Sequence, residues 1–191
     1  MEKGKIIFLN GVSSSGKTTL AKSLQERLAE PYFWLGADPF IGDMMPEKFF
    51  KDYSNPVIQK TFSIFHHTIK FFVEDMGVNV IVEDVFHPSS EIQMIKNLMK
   101  ECVEILHEYP VLLVHVTCPL EELQRREKER GNRDIGRAEK QLQRMTLKDT
   151  YDITVNTFNN STEECADKII ELLDYPEKFT AFKNLFLQLT K

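Results

Sequence analysis

The stretch Ile6-Ile-Phe-Leu-Asn10-Gly11-Val-Ser-Ser-Ser-Gly16-Lys17-Thr18-Thr19 decides the fold. Its first four apolar residues, Ile6 to Leu9, make a short buried strand. The eight residues from Gly11 to Thr18 then fit the phosphate-loop pattern G-x-x-x-x-G-K-[ST] at every fixed position. Leu20, Ala21, Leu24 and Leu28 follow at helical spacing, so a helix starts at Lys17. Gly11 and Gly16 permit a tight turn whose backbone N–H groups converge on phosphate oxygens. The following helix aims its positive end at the same anion. Lys17 is expected at the β- and γ-phosphates and Thr18 on Mg²⁺, with Ser13, Ser14, Ser15 and Thr19 completing the nucleotide contacts. An ordinary glycine turn is the plain alternative. The order strand, loop, helix argues against it.

Outward from this stretch the elements alternate in type, which implies a parallel sheet with crossover helices. Further strands are expected at Tyr32–Leu35, Val80–Val82, Val111–Val116 and, more weakly, Ile153–Val155. Helices are expected over Lys17–Leu28, Pro56–Met76, Glu91–His107, Leu120–Lys128, Ala138–Lys148 and Thr162–Leu173, with an additional C-terminal helix over 178–190. No linker divides the 191 residues, so one domain is expected over 1–191. The stretch 39–76 would build the acceptor pocket, with Phe40, Ile41, Met44, Met45, Phe49 and Phe50 as its wall, although such groups also form core. The adjacent His66 and His67 show no metal-ligand spacing, so they read as structural or pocket-lining.

A phosphate loop alone does not tell motors, switches and kinases apart. The chain has no room for a large remodelling domain. It also lacks the N-K-x-D guanine signature, which favours ATP over GTP. A small kinase needs a base at the carboxyl end of a neighbouring strand, and Asp38 follows the second strand there. Asp38 before Pro39 also reads as a helix N-cap, and the two roles can coexist. Glu83 and Asp84 end the third strand on opposite faces. One of them is expected to hold Mg²⁺ through water, and Asp84 is the preferred candidate. Five of the seven arginines lie within 125–137: Arg125, Arg126, Arg130, Arg133 and Arg137. The break Arg130-Gly-Asn-Arg133 reads as a mobile arginine lid over the nucleotide, with Arg130 and Arg133 catalytic and Arg126 on the nucleotide. A solvated pair of charged helices is the plain alternative. Asn156 and Thr157 follow the fifth strand, where adenine could be gripped.

Composition narrows the remainder. Hydrophobic residues are 42% and charged residues 28% of the chain, ordinary for a soluble globular protein. The net charge of −5 argues against a non-specific nucleic-acid binder. No apolar run is long enough to span a bilayer, and the N-terminus lacks a signal-peptide core, so no membrane partner and a cytoplasmic location are expected. Cys102, Cys118 and Cys165 are expected as free thiols.

The segments Ile7–Thr18, Leu35-Gly-Ala-Asp-Pro-Phe40, Val82-Glu-Asp-Val-Phe86 and Arg126-Glu-Lys-Glu-Arg-Gly-Asn-Arg133 together resemble the chloramphenicol phosphotransferase-like proteins, in order and spacing across most of residues 5–172. The resemblance implies a P-loop kinase fold of the α/β class, with sheet order 2-3-1-4-5. It also implies ATP-dependent phosphorylation of a hydroxyl on a small molecule. By the same resemblance Asp38 matches the catalytic base, Gly16, Lys17 and Thr18 the nucleotide loop, and Arg130 and Arg133 the lid. Pro39 and the aromatic and histidine pattern of 40–72 depart from the family's antibiotic-modifying enzyme. The alternatives are another small-metabolite or nucleotide-sugar kinase, or a non-catalytic nucleotide-dependent switch. The apolar face Phe179, Phe182, Phe186 and Leu189 could serve a partner or a homo-oligomer, or cover the protein's own core.

Overall fold

Five short apolar runs, each bounded by glycine, proline or charge, become the five strands of one parallel sheet. The computed structural model describes residues 3–44, 46, 56–86, 93–131, 135–145 and 150–189. The strands are β1 (Ile6–Asn10), β2 (Tyr32–Gly36), β3 (Asn79–Asp84), β4 (Val111–Thr117) and β5 (Ile153–Asn156). Their order across the sheet is β2-β3-β1-β4-β5, as expected for a P-loop kinase fold. β1 lies central, with Leu9 opposite Glu83 of β3 and Val114 of β4. Every residue of β1 is buried, because helices cover both faces of the sheet.

The helices are α1 (Lys17–Arg27), α2 (Ala37–Met44), α3 (Pro56–Glu74), α4 (Gln93–Leu106), α5 (Leu120–Arg130), α6 (Arg137–Arg144), α7 (Thr162–Leu173) and α8 (Ala181–Leu189), with a 3₁₀ turn at Pro176–Lys178. Strand alternation sorts the core into two layers. Ile7, Leu9 and Ile81 face α1 and α7, packing on Leu20, Leu24 and Ile169. Ile6, Phe8, Val80 and Val82 face α3 and α4, packing on Phe65, Ile69, Cys102 and Leu106.

Three details differ from the sequence expectations. α2 is a helix of its own directly after β2 and starts at Ala37. Asp38 therefore sits in its first turn rather than at an N-cap before it. α6 starts one residue earlier than expected, and residues 146–149 lie outside the described part of the chain. The C-terminal helix begins at Ala181, after the proline turn. Its apolar face is used internally: Phe182 is 2% exposed and packs on Phe8 and Phe86 at ring-centroid distances of 5.4 and 6.1 Å. Phe186 stacks on His107 at 3.7 Å. The three cysteines are buried free thiols. Among the described residues no helix is long and apolar enough to cross a membrane.

Candidate active site

The loop between β1 and α1 has the backbone that its glycines allow. Gly16 takes a left-handed φ of 94° at the start of α1, and Ser14 also has a positive φ of 62°. A Cβ on Gly11 would fall 2.4 Å from the Val116 carbonyl oxygen and 2.8 Å from Ser15 Oγ, so no side chain fits there. Lys17 is 7% exposed, and its Nζ donates to the carbonyls of Gly11 at 2.7 Å and Val12 at 3.1 Å. The hydroxyls of Ser14 and Ser15 are buried with no hydrogen-bond partner among the described residues. Orphaned donors, a buried ammonium and a helix N-terminus in one loop fit a polyphosphate.

The end of β3 sends its two carboxylates to opposite faces. Glu83 lies on the α1 side. Its Oε1 accepts from Thr18 Oγ1 at 2.7 Å, and its Oε2 accepts from Trp34 Nε1 at 3.3 Å. Asp84 lies on the α3 side and accepts from the Val85 amide at 2.7 Å. Burial pushes the Asp84 carboxyl above its ordinary range; His66 and the Val85 amide oppose this, and Asp38 adds to it. The carboxylate that meets Thr18 is therefore Glu83, whereas Asp84, the preferred candidate for Mg²⁺, lies on the other face. The reason is register: Glu83 shares the face of Leu9 and Ile81, beneath which α1 runs. A threonine hydroxyl and a carboxylate in contact make an oxygen donor set suited to Mg²⁺.

A cavity of about 410 Å³ opens above the loop, within the usual range for a small-molecule site. Ser13 to Thr19 form its floor, and Asp38, Glu83, Arg126, Arg130 and Arg137 are among the residues of its walls. Asp38 is half exposed, and Arg137 Nη2 lies 3.8 Å from its Oδ1. Arg130 is exposed at the cavity rim. Arg133, its expected companion, lies outside the described residues, as does Asn132.

Arg126 is committed to the protein itself. It donates to Glu122 at 2.8 Å, to the Ser14 carbonyl at 3.3 Å, and to the Thr157 hydroxyl and carbonyl at 3.1 Å each. Thr157 in turn donates to the Ser15 carbonyl at 2.7 Å. Arg126 thus braces α5 against the loop and the end of β5. Asn156 Oδ1 accepts from the amides of Phe158 and Asn159, so its side chain shapes the turn beyond β5.

Sequence reasoning passed over two further residues. Gln141 of α6 accepts from the Ser13 amide at 2.5 Å. Glu127 of α5 is fully buried and accepts from the amides of Gly136 at 2.9 Å and Ala138 at 2.7 Å. The signal available for Glu127 was its place one turn after Leu123, on the buried side of α5.

The expected acceptor wall forms only in part. Ile41 is buried in the core, and Phe40 packs on Phe65 at 5.2 Å, so both serve as core. Met44 is exposed, and Met45, Phe49 and Phe50 lie outside the described residues. His66 is 1% exposed, and its Nδ1 lies 3.7 Å from Glu101 Oε2.

The family model described as chloramphenicol phosphotransferase-like protein matches residues 4–174, and the chain belongs to that family. A protein of Mycobacterium tuberculosis strain H37Rv, named provisionally as an O-phosphotransferase, is 26% identical over 98% of this chain and 91% of its own. Among solved structures, the APS kinase of Mycobacterium tuberculosis in complex with AMPPNP and APS superposes with a TM-score of 0.62 at 17% identity, covering 91% of this chain and 99% of that one. Shikimate kinase from Acinetobacter baumannii, in complex with shikimate, gives 0.57 at 18% identity over 90% and 94%. The tunicamycin resistance protein of Deinococcus radiodurans gives 0.62 at 18% identity over 90% and 96%. Those likenesses establish the fold. Family and fold together support a phosphotransferase.

Proposed function

We propose that this member of the chloramphenicol phosphotransferase-like family transfers the terminal phosphoryl group of ATP to a hydroxyl of a small molecule. The observation that carries the reading is that Asp38 and the phosphate loop face one cavity, with arginines from α5 and α6 on its walls. Asp38 takes the proton of the attacking hydroxyl. The loop amides and Lys17 hold the donor phosphates, and Lys17 and Arg130 stabilise charge on the group in transit. Thr18 and Glu83 would hold Mg²⁺, which supplies charge neutralisation at the β- and γ-phosphate oxygens. The acceptor's hydroxyl must reach Asp38, so its recognition falls to α2, α3 and the segment between them. That region departs from the antibiotic-modifying pattern at Pro39 and beyond, so the acceptor need not be chloramphenicol.

The test is ADP release from ATP and Mg²⁺ across chloramphenicol, sugars, nucleosides and aminoglycosides. Stimulation by one compound, lost in Asp38→Asn with ADP binding retained, is the expected result. Equal stimulation in that variant would remove Asp38 from the chemistry.

A further inference from the structure

α3 carries apolar side chains on two faces, and the core uses one of them. Phe65, Ile69 and Val73 are fully buried in the layer that holds Val80 and Val82 of β3. On another face Val57, Ile64 and Phe71 stay at the surface, 53%, 52% and 51% exposed. They recur every seven residues, with Thr61 and Thr68 between them. The series 57, 61, 64, 68, 71 steps by four and three in turn, the spacing of a seam along which one helix packs on another. The two threonines suit such a seam. Thr61 Oγ1 donates to the Val57 carbonyl and Thr68 Oγ1 to the Ile64 carbonyl, each at 2.8 Å. Their hydroxyl protons are bonded within the helix, so covering this face strands no donor.

The stripe continues onto the edge of the sheet. Phe33 of β2, an edge strand, is nearly half exposed, and its ring lies 5.4 Å from that of Phe72. Met76 is exposed to the same degree just beyond the helix, and its amide donates to the Phe71 carbonyl. A large apolar side chain carries about 150–250 Å², so five half-exposed ones leave roughly 450 Å² of apolar surface. That equals a large patch for a monomer. It is more than half of the roughly 800 Å² that each partner gives to an interface of standard size. Gln59, Lys60 and His67 are exposed beside the stripe, where a polar rim belongs.

We infer that this face is the interface of a symmetric dimer, with α3 antiparallel to α3 of a second copy about an axis at Ile64. The spacing selects a second copy as the occupant. Val57 and Phe71 stand at equal distances on either side of Ile64. A two-fold axis there sets Ile64 against Ile64 of the partner subunit and Val57 against Phe71 of the partner subunit. The stripe is thus its own complement, as an isologous interface requires. At each end a small side chain meets a large one, which lets the helices interdigitate. Lys60 and Lys70 lie at unequal distances from Ile64, so neither lysine confronts its own copy across the axis. Val57, Ile64 and Phe71 do not line the phosphate-loop cavity, so assembly can be tested apart from catalysis.

Sedimentation velocity on the full chain, from about 1 to 100 μM, tests the interface. The wild type is expected to populate a dimer in this range. Ile64→Glu sets two carboxylates against each other at the axis and should weaken the dimer at least tenfold. Its urea-unfolding midpoint, measured at a concentration where the wild type is monomeric, should stay near that of the wild type, because Ile64 is half exposed within one chain. Cross-linking tests the geometry by a second route. Under mild oxidation Ile64→Cys should link to its own copy, whereas Val57→Cys should link only when mixed with Phe71→Cys. The native cysteines are buried, so the wild type should give no linked band. A wild type that stays monomeric throughout would overturn the assignment, and the face would then belong to some other partner. A dimer that withstands Ile64→Glu would overturn it as well. So would Val57→Cys linking to itself as readily as Ile64→Cys, since the helices would then not be antiparallel about Ile64.

Discussion

The two sides of the cavity are built by different means. On the proposed function the donor side comes from one run of chain, residues 11–19, which would hold phosphate with backbone amides and the start of α1. The opposite side is assembled from Asp38 on α2, Arg130 at the end of α5 and Arg137 on α6, which are far apart in sequence and act through side chains. A phosphate chain is the same in every kinase, so a compact backbone device can hold it. An acceptor differs from one enzyme to the next. Its site is placed where side chains on separate elements can change without disturbing the loop.

The sharpest way to break this division is Asp38→Asn. Loss of the base should lower phosphoryl transfer by about 10²–10⁴-fold, while Mg²⁺–ADP affinity stays within about threefold. Stopped acceptor-stimulated turnover alongside calorimetric ADP binding would check both halves of the statement. A parallel loss of ADP affinity would mean that the two sides are one unit.

The same division explains what could be read in the sequence. The donor side was legible because backbone geometry restricts residue type: the close approach at Gly11 and the left-handed turn at Gly16 leave little choice. β1 and β4 were legible because strands covered on both faces read as unbroken apolar runs. α2 was legible only at its start, where Asp38 before Pro39 reads as a helix N-terminus; its eight residues include Pro39 and Gly42, poor helix formers that hid its extent. Alternation separated Glu83 from Asp84 but did not say which face held α1; only the packed structure does. The arginines between 125 and 137 look alike as letters. Their partners distinguish them: Arg126 is held by Thr157 and Ser14, whereas Arg137 faces Asp38.

A second variant probes the platform beneath both sides. Phe182 of α8 packs on Phe8 of β1 and on Phe86 just beyond β3, and the Phe86 amide donates to Asn10 Oδ1 at 2.8 Å beside the loop. Phe182→Ala should cost about 3–5 kcal/mol of stability through the cavity it leaves, read as a lower midpoint in urea unfolding. If both sides rest on this platform, affinity for Mg²⁺–ADP and acceptor turnover should change together, each by a small factor, under conditions where the variant stays folded. Selective loss of one activity would show that α8 serves that side alone.

The smallest expected effect sharpens the boundary itself, because Glu83 and Asp84 are neighbours in sequence and fall on opposite sides of it. Glu83 contacts Thr18 and the Trp34 indole on the donor side. Asp84 lies within electrostatic reach of His66 and Asp38 on the acceptor side, and more weakly of Lys17. If Glu83 helps to hold Mg²⁺, Glu83→Gln should raise the Mg²⁺ concentration for half-maximal turnover by about tenfold, in the range usual for groups that support a metal site. Glutamine can still accept from the Trp34 indole through its carbonyl oxygen and donate to the Thr18 hydroxyl through its amide, so the fold of the β3 end should survive. Asp84→Asn removes a charge that burial already disfavours, so it should shift the Mg²⁺ requirement by less than about threefold and act instead on the acceptor's KM. Titrating MgCl₂ at fixed ATP in the two variants decides between them. A larger Mg²⁺ shift in Asp84→Asn would move the metal to the acceptor face of β3 and place the division between the two sides one residue away from where the packing of α1 puts it.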